Sequence, residues 1–259
     1  MFTIATYNTN SVRARLPIIE SYIKALHPDC LCLQETKVVD EDFPRDTFEK
    51  MGYHTVFKGQ KSYNGVAVIS LHPIEDVTFG FNDDEDRPED RTRLIQCRVK
   101  DISIINTYVP QGRDITHEQY QIKLRWFRRL KKLFDTKYSK DSDLIWCGDL
   151  NVAPTEIDVY APEKKTKHVC FHQDVRQAYH DVLNWGLIDI FRKFHPDPGH
   201  YSFFDYRIKD AVKRGLGWRI DHILATRNLA DRAVSANIDI EYRLVSRPSD
   251  HTFLRASFK

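Results

Sequence analysis

Six short polar motifs stand where apolar runs end, and their side chains together suit a divalent cation and a phosphodiester. They are Asn8-Thr9-Asn10, Gln34-Glu35-Thr36-Lys37, Tyr108-Val109-Pro110-Gln111, Gly148-Asp149-Leu150-Asn151, Arg219-Ile220-Asp221-His222 and Ser249-Asp250-His251. They supply the amides of Asn8 and Asn151, the carboxylates of Glu35, Asp149, Asp221 and Asp250, the phenol of Tyr108 and the imidazole of His251. Mg2+ is a hard cation that takes oxygen ligands, usually one or two carboxylates with several waters kept. Glu35, at the end of a buried-looking run, is the first choice of ligand; the alternative is a surface acid paired with Lys37. In Gly148-Asp149-Leu150-Asn151 the glycine allows a sharp turn or a close approach, and Asp149 and Asn151 alternate with Leu150, so both can face one side. Asp149 can then deprotonate a water, with Asn151 orienting it or holding a phosphate oxygen; an Asx turn is the competing explanation.

His251 can donate to a non-bridging phosphate oxygen as charge builds there. It needs a carboxylate to fix its tautomer, and Asp221 is the choice. A solvent-facing histidine at a strand start, and a turn cap at Asp250, are the bland alternatives. Tyr108 either reaches phosphate or the metal's waters, or is a core aromatic with its hydroxyl in water. Asn8 and Asn10, read singly, are turn residues. Turns that are independent of one another rarely end with this complement, so the motifs are read jointly.

The elements that must position these residues are mostly strands. Alternating or β-branched runs predict strands at 2–7, 30–34, 53–57, 65–71, 93–99 and 102–108, then at 144–147, 220–226, 235–240 and 252–258. Helices are expected at 16–26, 120–134 and 173–184; Tyr120, Leu124, Phe127, Leu130 and Phe134 share one face of the second. No Gly/Ser linker or low-complexity tract divides the chain, so residues 1–259 read as one domain: two similar strand–helix sets, sheets face to face, helices outside. The polar motifs then gather at one rim.

Hydrophobic residues make up 41% of the 259, enough for a substantial core, and the net charge is only +2, so a nucleic-acid partner must be met by a local patch. From Arg113 to Lys140 there are nine Lys/Arg against three Asp/Glu, read either as a solvated helix face or as a phosphate-contact surface. A second basic stretch, 207–219, begins at Arg207 and lies among Phe203, Phe204, Tyr206 and Trp218, a mixture that suits a strand whose sugar or base leaves the stack. The acidic run 83–90 reads as a solvated loop that repels DNA. Five cysteines without metal or redox spacing point to a reducing compartment. With no charged-then-apolar leader and no run of membrane-spanning length, a cytoplasmic protein with no membrane partner is expected. A monomer is the default.

The chain resembles, essentially end to end, the exonuclease III family of DNA-repair nucleases, which also contains the abasic-site (AP) endonucleases. The resemblance is carried by Leu31-Cys32-Leu33-Gln34-Glu35-Thr36-Lys37, Tyr63-Asn64-Gly65-Val66-Ala67, Tyr108-Val109-Pro110-Gln111-Gly112, Gly148-Asp149-Leu150-Asn151, Gly217-Trp218-Arg219-Ile220-Asp221 and Ser249-Asp250-His251. The Gly-Asp-x-Asn and Ser-Asp-His motifs indicate only the wider phosphoesterase superfamily, whereas Gln-Glu-Thr-Lys and Gly-Trp-Arg-Ile-Asp narrow it to the repair branch. The resemblance implies an α/β four-layer sandwich of two packed mixed β-sheets flanked by helices, as in DNase I. It implies Mg2+-dependent cleavage of DNA, with Mn2+ substituting. The implied activities are AP endonuclease, 3′-phosphatase or 3′-phosphodiesterase, and 3′-to-5′ exonuclease in base excision repair. The implied partner is double-stranded DNA with abasic sites, nicks or blocked 3′ ends.

By family pattern Glu35 binds metal with Asn8 nearby, Asp250 is a second acid close to it, and Asp149 and Asn151 share metal and water. Asp221 orients His251, which contacts the scissile phosphate with Tyr108. Phe203, Trp218 and Ile220 match a pocket for an extrahelical abasic sugar, and Gln111 matches a DNA phosphate contact. One stretch departs from the pattern: His168-Val169-Cys170-Phe171 carries a bulky His and a Cys where many abasic endonucleases have Asn and Gly. If this loop borders the sugar pocket, His168 narrows it, which favours 3′-end processing over internal abasic cleavage. The rivals are a general deoxyribonuclease, an inositol polyphosphate phosphatase or a sphingomyelinase, and, from another class, a catalytically silent DNA-binding module. Against the silent module, like charges are costly to gather without a cation to pair them.

Overall fold

Runs that are apolar at every position belong to strands covered on both faces, and the alternation inside them assigns each residue to a layer. In Cys30–Gln34, Cys30 and Cys32 join one buried cluster while Leu31 and Leu33 join another. The computed structural model describes residues 1–259. One six-stranded sheet contains β1 (Phe2–Asn8), β2 (Cys30–Gln34), β3 (His54–Lys58), β4 (Val66–Ser70), β11 (Ala233–Asp239) and β12 (Phe253–Phe258), in the order β11-β12-β1-β2-β4-β3. The other contains β5 (Ile74–Phe79), β6 (Leu94–Val99), β7 (Ile102–Tyr108), β8 (Leu144–Asp149), β9 (Leu187–Asp189) and β10 (Asp221–Thr226), in the order β5-β6-β7-β8-β10-β9. In each sheet the third and fourth strands are parallel and every other pairing is antiparallel. The parallel pair is joined each time by a helix: α1 (Val12–Leu26) between β1 and β2, α4 (Glu118–Lys137) between β7 and β8. The two similar sets are therefore present, but the division is not at the middle of the chain, because β11 and β12 return to the N-terminal sheet.

The sheets pack on each other through Ile4, Cys30, Cys32, Val68, Ile104, Ile145, Cys147, Ile223 and Leu254. Outside one sheet, α1 buries Val12, Ile19, Tyr22 and Ile23 against Ala5, Leu31, Leu33 and Phe253. Outside the other, α4 and α5 (Gln173–Leu183) bury Phe127, Leu130, Phe134, Val175 and Tyr179 around Trp146. The result is four layers, helix–sheet–sheet–helix.

Every expected strand is present; β5 and β9 were not expected. β5 is an edge strand with Glu75, Asp76 and a register shift, and β9 has three residues, so neither carries a clear period-two signal. α1 starts at Val12, four residues before the expected start, because its first turn is polar. Short helices α2 (Arg45–Lys50), α3 (Pro88–Arg91), α6 (Ile190–Phe194) and α7 (Arg227–Asp231) sit in connections. No helix is long and apolar enough to cross a membrane.

The acidic run at 83–90 is only in part the solvated loop expected: Asp84, Glu85 and Glu89 are exposed, but the other acids are engaged by α4. Asp83 and Asp90 bind the Arg129 guanidinium of α4 at 2.6–2.9 Å, and Asp90 also accepts from the Trp126 indole N–H at 3.1 Å. Arg129 is thereby removed from the basic face expected of α4, and Lys123, bonded to backbone carbonyls instead, is removed as well; both are buried.

Candidate active site

Strand register brings the polar motifs to one rim. Tyr108, Asp149 and Asp221 end or begin neighbouring strands, with Asp149 directly paired to Tyr108 on one side and to Asp221 on the other. Asn8 pairs with Gln34 one residue before Glu35, and His251 stands two residues before β12, next to β1. Like charges directly opposite on adjacent strands are unfavourable, so the Asp149–Asp221 pairing is a cost the fold carries. On the other side, Gly148 lets β8 lie close against β7: at its φ of +131° a Cβ would lie 2.0 Å from the Thr107 carbonyl oxygen. Asn10, Glu35, Lys37 and Asn151, all non-glycine, have φ between +44° and +55°. Left-handed backbone at such residues is uncommon and clusters at functional sites.

The side chains form a connected set. Asn8 Nδ2 donates to Glu35 Oε1 and to Asp149 Oδ2, both at 2.9 Å. Lys37 Nζ lies 2.7 Å from Glu35 Oε2 and donates to Asn10 Oδ1 at 2.6 Å. The Glu35–Lys37 pairing offered as the bland alternative for Glu35 is thus real, but it is one contact within the cluster. Asn151 donates from Nδ2 to Asp149 Oδ2 at 3.3 Å and to the Val109 carbonyl at 3.0 Å. His251 Nδ1 is 2.8 Å from Asp221 Oδ2, which also accepts from Ser202 Oγ at 2.6 Å. Because a carboxylate only accepts, His251 keeps a proton on Nδ1, and as an imidazolium it carries a second on Nε2, which is turned toward Asp149 Oδ2, 3.8 Å away. Asp250 is held aside by Asn10 Nδ2 at 3.1 Å and Ser249 Oγ at 3.2 Å, and makes no hydrogen bond to Glu35 or Asp149.

The electrostatics follow from burial and charge balance. Burial pushes the Asp149 carboxyl well above the usual carboxylate range; His251 opposes this, and Asp221 and Glu35 add to it. Burial disfavours the His251 imidazolium, but Asp221, Asp149 and Asp250 outweigh it and raise its pKa. Burial raises Glu35 too, yet Lys37 and Asn8 hold it below its ordinary value. The Tyr108 hydroxyl is kept protonated by burial and by the charges of Glu35 and Asp149. Oδ1 of Asp221 is buried with no partner. Ligand atoms of Asp149, Asp221 and His251 lie within 4.8 Å of one another.

A cavity of about 440 Å³ opens from this cluster, and Glu35, Tyr108, Gln111, Asp149, Asn151, His251, Phe203, Arg207, Trp218, Ile220, His168 and Asp250 all line it. Its far wall is built by bridges between Phe203 and both Trp218 and His251. The His168 ring lies 4.5 Å from that of Trp218, so the departing loop does border the pocket; Cys170 also lines it, buried beside Asn151. Arg207 is exposed at the mouth and paired with Asp205. Arg219, at the other end of the basic stretch, is buried and so offers no surface for a phosphate contact.

The endonuclease/exonuclease/phosphatase family model matches residues 5–251. The chain belongs to that family. Within it, the chain is similar to exodeoxyribonuclease III of Haemophilus influenzae, 32% identical over 98% of each chain. Among solved structures it is similar to an AP endonuclease from Archaeoglobus fulgidus, 49% identical over the whole of both chains with a TM-score of 0.97. It is likewise similar to a 3′ phosphatase from Neisseria bound to product DNA hairpin, 36% identical over the whole of both chains with a TM-score of 0.92.

Sequence reasoning missed several members of this family site. Lys165 stands over Tyr160 at 4.6 Å and over Trp218 at 5.7 Å on the pocket wall. Ser202 supports Asp221, and Ser249 Oγ donates to the Asn8 carbonyl at 2.8 Å. Ser249 could have been found from its motif and Lys165 from its polar run, Glu163-Lys164-Lys165-Thr166-Lys167-His168; Ser202 sits between aromatics with no such signal. Beneath the pocket, Arg219 binds Asp158 Oδ1 at 2.6 Å, Asp189 Oδ2 at 2.8 Å and His222 Nδ1 at 3.0 Å. Arg192 also binds Asp158 Oδ1. Since arginine only donates, His222 accepts at Nδ1 and gives its Nε2 proton to the Val152 carbonyl at 2.9 Å.

Proposed function

We propose that the chain, acting over residues 1–259 as one catalytic domain, is a metal-dependent phosphodiesterase of DNA repair, cleaving double-stranded DNA at abasic sites and at blocked 3′ ends. The observation that carries this reading is the surplus of carboxylate at the rim: the buried Asp149 and Asp221 converge with the half-buried Glu35, while His251 and Lys37 are the nearby cations. The kinship with exodeoxyribonuclease III, an AP endonuclease and a DNA-bound 3′ phosphatase supports the substrate class. All the site residues come from one chain, so a monomer suffices.

The donor set fits a hard cation: carboxylate and amide oxygens crowd the rim, and one Asp221 oxygen has no partner. Mg2+, or Mn2+ in its place, would be held by Glu35 and Asp149, with Asn8, Asn151 and Asp250 close by. When bound it supplies charge neutralisation at the phosphate. The protein groups do the rest. Asp149, with its raised pKa, accepts the proton of the attacking water, and Asn151 orients that water. His251, fixed by Asp221, and the Tyr108 phenol donate to the non-bridging oxygens as charge develops. Water forms the new bond to phosphorus and the phosphodiester P–O bond breaks, so no protein nucleophile is needed. Phe203, Trp218 and Ile220 enclose the sugar and Gln111 and Arg207 meet the backbone.

His168 against Trp218 narrows the sugar side of the pocket, which favours 3′-end processing relative to internal abasic incision. The test is a product gel with Mg2+ or EDTA on three matched duplexes: an internal abasic analogue, a nick with a 3′-phosphate and a recessed 3′ end. Metal-dependent removal of the 3′-phosphate, and a gain of abasic incision in His168→Gly, are expected. Hydrolysis unaffected by EDTA would overturn the metal role, and strong abasic incision by the unaltered chain would overturn the narrowed pocket.

A further inference from the structure

Lys123 of α4 is fully buried, yet no carboxylate lies within bonding distance of it. A lone buried ammonium is expensive, and here all three of its N–H groups are used on backbone carbonyls: Gln111 at 3.1 Å, Asn151 at 2.6 Å and Val169 at 2.8 Å. These carbonyls belong to three separate loops. Each loop delivers a pocket residue: Gln111 itself, Asn151 itself, and His168 with Cys170 on either side of Val169. The shortest bond falls on Asn151, whose left-handed backbone (φ +50°) turns its carbonyl toward the ammonium and its side chain toward Asp149. The lysine stem lies under the Gln111-Gly112 turn, where a Cβ on Gly112 would meet the Lys123 Cδ at 3.3 Å.

We propose that Lys123 is a positioning residue for the reaction: its ammonium is the common anchor that sets three pocket loops in register with one another. The proposal rests on the reading of this pocket as the phosphodiester site. Apolar packing could fill the same volume, but only a group with three donors can hold three carbonyls from different loops at one point. A displacement of reacting groups by about 1 Å costs on the order of a hundredfold in rate, which is the scale on which loosened loops act.

The test is Lys123→Met, assayed on a duplex with a nicked 3′-phosphate and Mg2+, well below the melting temperature of the variant. The expected result is a kcat lowered by about tenfold to a hundredfold with KM little changed. In single turnover the losses from Lys123→Met and Asn151→Ala are expected to be less than multiplicative, because one acts through the other. An unchanged kcat in the folded variant, or losses that multiply fully, would overturn the proposal. Where Lys123→Met does not fold, 15N-lysine NMR on the unaltered protein decides: a slowly exchanging Lys123 ammonium is expected, and exchange as fast as that of surface lysines overturns the anchor. If the unaltered protein cleaves none of the duplexes, the phosphodiesterase reading fails, while the NMR result still reports on the anchor.

Discussion

Two clusters of buried charge meet at residues 219–222, and they are built on opposite principles. In the cluster under the pocket, Asp158 and Asp189 face the guanidiniums of Arg219 and Arg192, and Asp158 also accepts from Thr155. Burial would raise both acids, but Arg219 outweighs it and holds them below the ordinary carboxylate range. In the rim cluster, Asp149 and Asp221 are forced side by side by strand register, Asp149 is pushed upward, and an Asp221 oxygen is left unpartnered. The same residue type is depressed in one place and elevated in the other. The balanced cluster closes on itself and has nothing left to offer a ligand; the unbalanced one retains acceptors and a carboxyl of raised pKa, as the proposed chemistry requires. Charge balance, rather than burial, separates scaffold from chemistry in this molecule.

The largest effect that would break this contrast is at Asp149. Asp149→Asn removes the proposed proton acceptor, and cleavage is expected to fall by about 10²–10⁴-fold while DNA binding persists, as measured by single-turnover assay and by titration of labelled duplex. At Arg219 the expected loss is of stability instead. Breaking a buried pair by removing one partner costs about 3–5 kcal/mol, so Arg219→Met should lower the urea midpoint strongly, with a lesser loss of turnover per folded molecule. The balanced cluster also sets an acid dependence. Asp158 and Asp189 have depressed folded pKa values, so the stability they contribute is present above the unfolded carboxylate pKa of about 3.9 and is lost as pH falls below it. Urea midpoints at descending pH are expected to fall in that window, and to fall less in Arg219→Met. The gentlest change is Glu35→Ala, which raises the Mg2+ concentration needed for half-maximal rate; an unchanged metal titration would move the ligand elsewhere.

The rim was legible because strand-end polar residues interrupt apolar runs: Asn8, Glu35, Tyr108, Asp149 and Asp221 each sit at the edge of a pattern with period two. The layers were legible for the same reason, since residues such as Cys30 and Leu31 alternate between two cores. Edge strand β5 was hidden by Glu75 and Asp76, and β9 by its length. The charges that became scaffold were misjudged because their partners are remote: Asp83 and Asp90 meet Arg129 only after the chain has passed through β6 and β7. Lys123 left a signal that was overridden by its charge. It lies three residues after Tyr120 and four before Phe127, on the apolar face of α4, where a lysine must be buried and bonded.

The most direct test of the contrast is a crossed one: cleavage of the 3′-phosphate duplex and unfolding by urea, both measured on Asp149→Asn and on Arg219→Met. Asp149→Asn is expected to lose cleavage and keep or gain stability, since a carboxylate repelled by its neighbours has been neutralised. Arg219→Met is expected to lose stability and keep much of its cleavage. Cleavage intact in a destabilised Asp149→Asn, or abolished in a folded and equally stable Arg219→Met, would contradict it.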